Sequence, residues 1–432
     1  MKFEFIENEN KYITADQMAA LNDLLQISDE IRKGLGLRFT PMQISGNFIR
    51  FNGISANIRY NDTELVVKPK ITGSFSDIVT SESLMKTLYL RILRTCKSNL
   101  NSVIYFTSMS TETITDDTFI DCVAQYFLER LTFAVQKLPI VVYYQREEKR
   151  SAIKGKILIQ KELQSPIRDG KTWCRYKMLS RDNLYNALLK WCCEYFASNV
   201  SSKSLRYKLR QMAASLEGNV DELTVNTVRP MRLPRNFDAY REPFSIAKEI
   251  FLYNNQTTKL KADSKNICGY VINMETAFEN IVCYYADRFS LKKQILHIPQ
   301  ADILLAKADS GASEMDFHIR PDDLLVKGEN KLVLDAKYKY VTGKDKPSRD
   351  DFYQMVSSCI AHETSEAILI YPSTDVSENY SESWTLDKPI NGKNFKVYAD
   401  KIDIFADDQT IIAQIAGAVY RSQFAEVACG KI

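Results

Sequence analysis

Residues 316–340 read DFHIRPDDLLVKGENKLVLDAKYKY. Two apolar runs flank Lys327-Gly328-Glu329-Asn330, and Gly and Asn tolerate the backbone that tight hairpin turns need. The stretch therefore predicts two strands joined by a turn, with Asp322 on the first and Asp335 and Lys337 on the second. Residues two apart in a strand share a face, about 6 to 7 Å apart. Asp335 and Lys337 then point one way, Ala336 turns to the opposite side, and the turn brings Asp322 alongside. Two carboxylates suit a hard cation such as Mg²⁺, which also accepts carbonyl oxygens, here that of Ala336. A lysine beside the metal can orient water and offset charge developing on a phosphate. The bland alternative is a polar turn at Asp322 and Asp323, and a local ion pair on an exposed face at Asp335-Ala336-Lys337. The run Leu332-Val333-Leu334 weighs against it, because a charged triplet ending a buried strand needs a reason to be there. Strand alternation alone does not decide whether Asp322 or Asp323 faces Asp335.

Outward from the hairpin, GYVINMETAFENIVCYYADRF predicts a long helix over 269–289, and SRDDFYQMVSSCIAHE a second helix after a Gly/Lys/Pro loop at 342–348. Glu279 on the first helix can add an outer ligand. Gln354 on the second can hydrogen-bond the site or a substrate phosphate. AILIYP (367–372) reads as a buried strand, NFKVYAD and KIDIF as two more, and DDQTIIAQIAGAVYRSQFAEVA as a closing helix. Helix, hairpin, helix, strand is a mixed α/β order. His318 is either a base or a structural residue.

Residues 1–80 alternate apolar and polar positions, with turn signals at Asn52-Gly53 and Asn61-Asp62, and predict a small antiparallel β-rich module. Lys68-Pro69-Lys70 is either a phosphate contact or a solvated strand end. From Ser81 the period changes. SLMKTLYLRILRTC and DCVAQYFLERLTFAVQKL space apolar residues three to four apart, as core-facing helices do. Residues 139–163 predict strand, charged turn, strand. Arg146, Lys149, Arg150, Lys154 and Lys156 cluster there near Tyr143 and Tyr144, either as a DNA contact or as a solvated loop. Residues 181–217 read as helical, and RPMRLPRNF (229–237) as an extended linker with the main boundary around 230–245. This divides the chain into a β-rich module (1–80), a mainly helical middle with a charged hairpin (81–240), and a final mixed domain (241–432).

Composition narrows the class. A net charge of +3 on 432 residues does not by itself imply nucleic-acid binding. No run approaches about 18 apolar residues, which argues against a membrane span, and MKFEFIENENKY carries no apolar signal region. Nine cysteines form no CxxC and stand beside three histidines. That usage reads as reduced, mostly buried thiols in a cytoplasmic protein, without the spacing of a zinc site. There is no P-loop, dinucleotide fingerprint or Ser-His-Asp set.

Arg320-Pro321-Asp322 followed by a hairpin and Asp335-Ala336-Lys337-Tyr338-Lys339 resembles the nuclease core of the McrC family, the endonuclease subunits of McrBC-type modification-dependent restriction systems. METAFENIV resembles the upstream family helix at Glu279, and DDFYQMVSS the downstream helix at Gln354. NGISANIRYNDTELVVKPKI and IKGKI (153–157) are similar to the family's front half. The chain departs from related nucleases at Ser358, where a tyrosine often stands, and the helical middle is long. The resemblance implies a PD-(D/E)xK restriction-endonuclease-like domain and Mg²⁺-dependent hydrolysis of DNA phosphodiesters, with Mn²⁺ as a substitute. It also implies anti-phage defence in complex with a McrB-like AAA+ NTPase using GTP or ATP. On this reading Asp322, Asp335 and the Ala336 carbonyl hold the metal, Lys337 assists water attack, and Glu279 and Gln354 complete the site. It further favours Asp322 over Asp323 as the ligand. The rival expectations are a catalytically silent adaptor that stimulates the NTPase, and a free-standing DNA-repair nuclease.

Overall fold

The structure is a computed structural model. It describes residues 2–18, 21, 28–60, 63–72, 78–96, 100–106, 117–164, 170–260, 267–309, 316–339, 341, 346–373, 381–390 and 392–428. The expected turn at Asn61-Asp62 and most of the 342–348 loop lie outside the described residues. The fold is mixed α/β, and the chain divides into two compact units, 1–105 with 269–432, and 106–268.

The first unit is built on two larger sheets. One has six strands in the order Leu296–Pro299, Asp323–Lys327, Asn330–Ala336, Glu366–Ser373, Lys396–Asp403, Ser381–Thr385. The hairpin Asp323–Lys327/Asn330–Ala336 is antiparallel, and Lys327 pairs with Asn330 around Gly328, whose φ of 59° suits a residue without a Cβ. Asn330–Ala336 then runs parallel to Glu366–Ser373, with the helix Arg349–Ala361 as the crossover. All eight residues of Glu366–Ser373 are buried, as expected where helices cover both faces of a parallel strand. One face packs Leu324, Val333, Leu369 and Val397 against Met355 and Cys359 of the crossover helix. Leu325, Leu332, Leu334 and Ile368 alternate with these and are equally buried, so they point to the opposite face.

The other larger sheet has five strands in the order Lys2–Ile6, Thr63–Lys68, Ile54–Tyr60, Ile267–Asn273, Ile104–Phe106. Its edge strand Lys2–Ile6 runs parallel to Thr63–Lys68, and a helix occupies Ser28–Gly34, so the front of the chain is not the purely antiparallel module expected. A small antiparallel sheet joins Lys11–Tyr12, Phe48–Phe51 and Met42–Ser45.

Several sequence expectations need correction. The helix expected from residue 269 begins at Met274, because Ile267–Asn273 is a strand. Val271 and Ile272 are buried β-branched residues, and the Asn273 side chain caps the helix by accepting from the Thr276 amide. NFKVYAD and KIDIF contribute one continuous strand, Lys396–Asp403. The closing helix breaks after Tyr420 and resumes at Gln423.

The second unit carries the helices Asp117–Lys137, Leu184–Asn199, Lys203–Ser215 and Arg241–Leu260. Its charged hairpin is not a hairpin. Val142–Arg150 and Lys156–Ile157 both pair with Thr172–Ser180, which lies between them. The expected linker at 229–237 runs into a packed 3-10 turn, Arg235–Tyr240, in which Tyr240 is buried and donates to the Leu138 carbonyl at 2.8 Å. The unit ends near residue 268, where the five-stranded sheet of the first unit takes up the chain.

That re-entry rests on Gly269. Its φ is 139°, and an added Cβ would lie 1.9 Å from the Asn57 carbonyl oxygen. Gly269→Ala should lower the melting temperature sharply, by the equivalent of about 3 kcal/mol or more. Gly417→Ala, in an exposed helix position with nothing within 4 Å, should raise it by the equivalent of about 0.5–1 kcal/mol. Thermal unfolding of the two variants beside the parent checks both signs.

Candidate active site

Cross-strand register settles which aspartate faces Asp335. Asp323 pairs with Leu334, so the next position out places Asp322 directly across from Asp335. Asp322 lies just before its strand, and its Oδ2 accepts from the Ala336 amide at 2.8 Å. Asp323 turns to the other face, where its Oδ1 lies 2.6 Å from His297 Nε2. Lys337 follows the last residue of the neighbouring strand. Its ammonium pairs with Asp335 Oδ2 and donates to Gln354 Oε1 at 3.1 Å. The Gln354 amide reaches Asp335 Oδ1 at 3.4 Å. Asp322, Asp335, Lys337 and Gln354 are thus brought together by one hairpin and the crossover helix that follows it.

Glu279 joins them from the helix Met274–Lys293. It lines, with Asp322, Lys337 and Gln354, a cavity of about 700 Å³. The Asp335 side chain is 1% exposed. Burial raises the Glu279 carboxyl to about 7, with the Asp335 charge adding to the rise and Lys337 opposing it. Burial, then the Asp335 and Glu279 charges, hold Asp322 well above the usual carboxylate range. Burial also raises Asp335, against the pull of Lys337. Burial works against the Lys337 ammonium, yet Asp335 outweighs it and holds the lysine above its ordinary value. One ammonium therefore faces three carboxylates, Asp335 buried and Asp322 and Glu279 half-buried, an arrangement that favours either protons or a further cation. The donor set, all oxygen on the acidic side, fits a hard divalent cation.

Several lining residues escape a reading of the sequence. Gln300 donates from its backbone to the Asp322 carbonyl at 2.8 Å and from its side chain to Asp322 Oδ1 at 3.3 Å. It does so at φ 51°, a conformation few non-glycine residues adopt, and one that tends to persist where surrounding contacts enforce it. Glu275 lies one turn before Glu279 on the same helix, a spacing visible in the sequence. Arg38, also at the cavity, has no signal in its surroundings. His318 lines the wall with its Nδ1 2.9 Å from Asp302. Ser358 is buried in the crossover helix.

The five basic residues proposed for DNA belong to the second unit and have their own surroundings there. Arg146 and Arg150 both pair with Glu148, at 2.9 and 2.6 Å. Lys154 lies over the Tyr176 ring at 4.6 Å. Lys149 stands opposite Trp173, and Lys156 opposite Arg175. Lys68 pairs with Glu4, while Lys70 donates to the Tyr338 carbonyl at 2.6 Å.

Among solved structures, the chain is similar to a chain of the refined half-complex from a tetradecameric assembly of Thermococcus gammatolerans McrB AAA+ hexamers with bound McrC. The TM-score is 0.60 at 14% identity, over 96% of this chain and 100% of that one. It is also similar to a chain of the Thermococcus gammatolerans McrBC complex, at TM-score 0.45 and 14% identity, over 67% of this chain and 88% of that one. No curated protein sequence matches. At such identity the first likeness speaks to the mixed α/β architecture. The sequence itself matches the family described as McrBC 5-methylcytosine restriction system component over residues 50–372, which span both units and include every residue of the hairpin site. The chain therefore belongs to the family of McrBC 5-methylcytosine restriction system components.

Proposed function

We propose that this chain is the Mg²⁺-dependent endonuclease subunit of an McrBC-type restriction complex. It hydrolyses DNA phosphodiesters when assembled with a McrB-like AAA+ NTPase. The observation that carries the reading is the placement of Asp322 directly across from Asp335, with Lys337 held on Asp335 and Glu279 facing the same cavity. The order helix, hairpin, crossover helix, parallel strand supports a PD-(D/E)xK domain. The partner follows from the family and from the assembly of the similar structure, in which McrC is bound to McrB hexamers.

Asp322, Asp335 and the Ala336 carbonyl would hold the cation, Mg²⁺ or in its place Mn²⁺, with Glu279 as an outer carboxylate. A bound divalent ion polarises a phosphoryl oxygen and lowers the pKa of its water. Lys337, raised above its ordinary value, keeps its proton at neutral pH and so acts as a donor. It can orient the attacking water and offset charge on the phosphate. Gln354 holds the ammonium in place through its carbonyl oxygen, and Gln300 holds Asp322.

Purified chain, partner, NTP, Mg²⁺ and DNA with and without methylated cytosine should yield cleavage. Asp335→Ala should abolish it, and Lys337→Ala should slow it about 10²-fold or more, both leaving stimulation of the partner's NTPase intact. Cleavage undiminished in Asp335→Ala would overturn the site. A parent chain that stimulates the NTPase yet never cuts is an adaptor, and one that cuts without the NTPase is a free-standing nuclease.

The crowded carboxylates also give a pH signature. In metal-free buffer Glu279 holds its proton up to about 7 in the folded chain, against an ordinary value of 4.5. The folded state binds more protons in that window, so stability falls as pH rises through it. Glu7, likewise raised by burial to about 7, adds the same slope and is unchanged in a Glu279 variant. Glu279→Gln should therefore raise the melting temperature at about pH 8 and leave it nearly unchanged near pH 4. Added Mg²⁺ should stabilise the parent at about pH 8 and Asp335→Ala much less. Equal Mg²⁺ shifts in the two would count against the metal assignment.

A further inference from the structure

Behind the candidate active site lies a second cluster with a different chemistry. Cys283 on the helix Met274–Lys293, His297 on the strand Leu296–Pro299 and Asp323 on the next strand bring one ligand atom each within 4.8 Å of one another. The His297 and Asp323 side chains are 4% and 0% exposed. Asp323 Oδ1 meets His297 Nε2 at 2.6 Å, while Asp323 Oδ2 is buried with no hydrogen-bond partner among the described residues. A buried carboxylate oxygen without a partner is uncommon and calls for an explanation. On the far side of the ring, Asp287 Oδ1 approaches His297 Nδ1 at 3.4 Å. A carboxylate behind one imidazole nitrogen is the usual support for a metal on the other.

We propose that Cys283, His297 and Asp323 form a structural site for a thiophilic divalent metal, Zn²⁺ being the ion their chemistry fits. Zinc with bonds of about 2.0–2.3 Å sets tetrahedral ligand atoms about 3.3–3.8 Å apart, so on binding the ligand atoms, now within 4.8 Å of one another, draw in around the ion while the 2.6 Å His297–Asp323 contact opens by about 0.7 Å. A thiolate ligand selects against Mg²⁺ and separates this site from the all-oxygen one. The ion takes the place of the proton shared by His297 and Asp323, and the Cys283 thiol gives up its proton on binding. Asp323 Oδ2 gains the partner it lacks. Asp287 fixes the tautomer, and solvent fills the fourth position. The sequence hides the site because its ligands stand at 283, 297 and 323 and make none of the short spacings that mark zinc motifs.

The location gives the ion a task. Cys283 lies one helical turn after Glu279, and Asp323 directly follows Asp322. A metal there ties the helix that presents Glu279 to the strand that presents Asp322, and so holds two acids of the candidate site in register.

Metal-stripped full chain titrated with Co²⁺ tests this through the thiolate-to-cobalt charge-transfer band in the near ultraviolet. The band should appear in the parent and in Asp335→Ala, which lacks an acid of the other site. It should also appear in Cys359→Ser and vanish in Cys283→Ser. Asp287→Asn should weaken zinc about 10- to 100-fold while keeping the band at saturation. Absence of the band in the parent, or its persistence in Cys283→Ser, overturns the proposal. Native mass spectrometry of Asp335→Ala supplied with zinc is independent of any Cys283 variant's folding. One retained ion supports the site, and none overturns it.

Discussion

The arrangement that the rest of the structure serves is the Asp335–Lys337 ion pair at the end of a buried strand. Two opposite charges out of water recover their desolvation cost only with good geometry and further hydrogen bonds. Here the strand provides the geometry, because residues two apart share a face, and Gln354 provides both a donor for Asp335 and an acceptor for Lys337. Asp322 and Glu279 then unbalance the pair by adding two more carboxylates. A site that was only structural would gain nothing from that excess. The packed sheet beneath, with every residue of Glu366–Ser373 buried, holds these charges where they would otherwise separate.

The front of the chain contributes to the same end. Tyr338, next after Lys337, is buried; its hydroxyl donates to Glu7 Oε2 at 3.0 Å, and its carbonyl accepts from Lys70 at 2.6 Å. Lys70 also sits over the Tyr338 ring at 4.0 Å. Residues just after two neighbouring parallel strands of the five-stranded sheet, Lys2–Ile6 and Thr63–Lys68, therefore fix the chain just beyond Lys337. This explains why residues 1–105 and 269–432 form one unit although more than a hundred residues separate them in sequence. Of the Lys68-Pro69-Lys70 segment, which by composition reads as a phosphate contact or a solvated strand end, Lys70 belongs to this brace, while Lys68 keeps a partly exposed pair with Glu4.

What was legible in the sequence was local. Gly328 and the flanking alternation disclosed the hairpin, and Leu332-Val333-Leu334 disclosed a buried strand with a charged end. The crossover helix and the strand at 367–372 followed from periodicity. What was not legible depended on partners far away in the chain. Residues 269–273 read as the start of a helix because a buried strand and a buried helix are both apolar, and only the place of Ile267–Asn273 beside Ile54–Tyr60 makes them strand. Thr172–Ser180 carries no local sign that it lies between two strands which by themselves read as a hairpin. Gln300 has no motif at all, since it acts through a backbone conformation that the surrounding contacts impose.

The adjacent pair Asp322 and Asp323 shows how far register governs chemistry. They differ by one position, and the sheet sends one to the cavity with Glu279 and the other to His297. A slip of one residue between the two hairpin strands would exchange them, since a strand's side chains alternate strictly between faces. It would also exchange Leu324 with Leu325 and set Val333 against the wrong layer, although each of these is buried on its own side. The apolar residues therefore choose the register, and the charged residues inherit their roles from it. Two neighbouring aspartates face two different clusters back to back only because the surrounding leucines and valines allow one pairing.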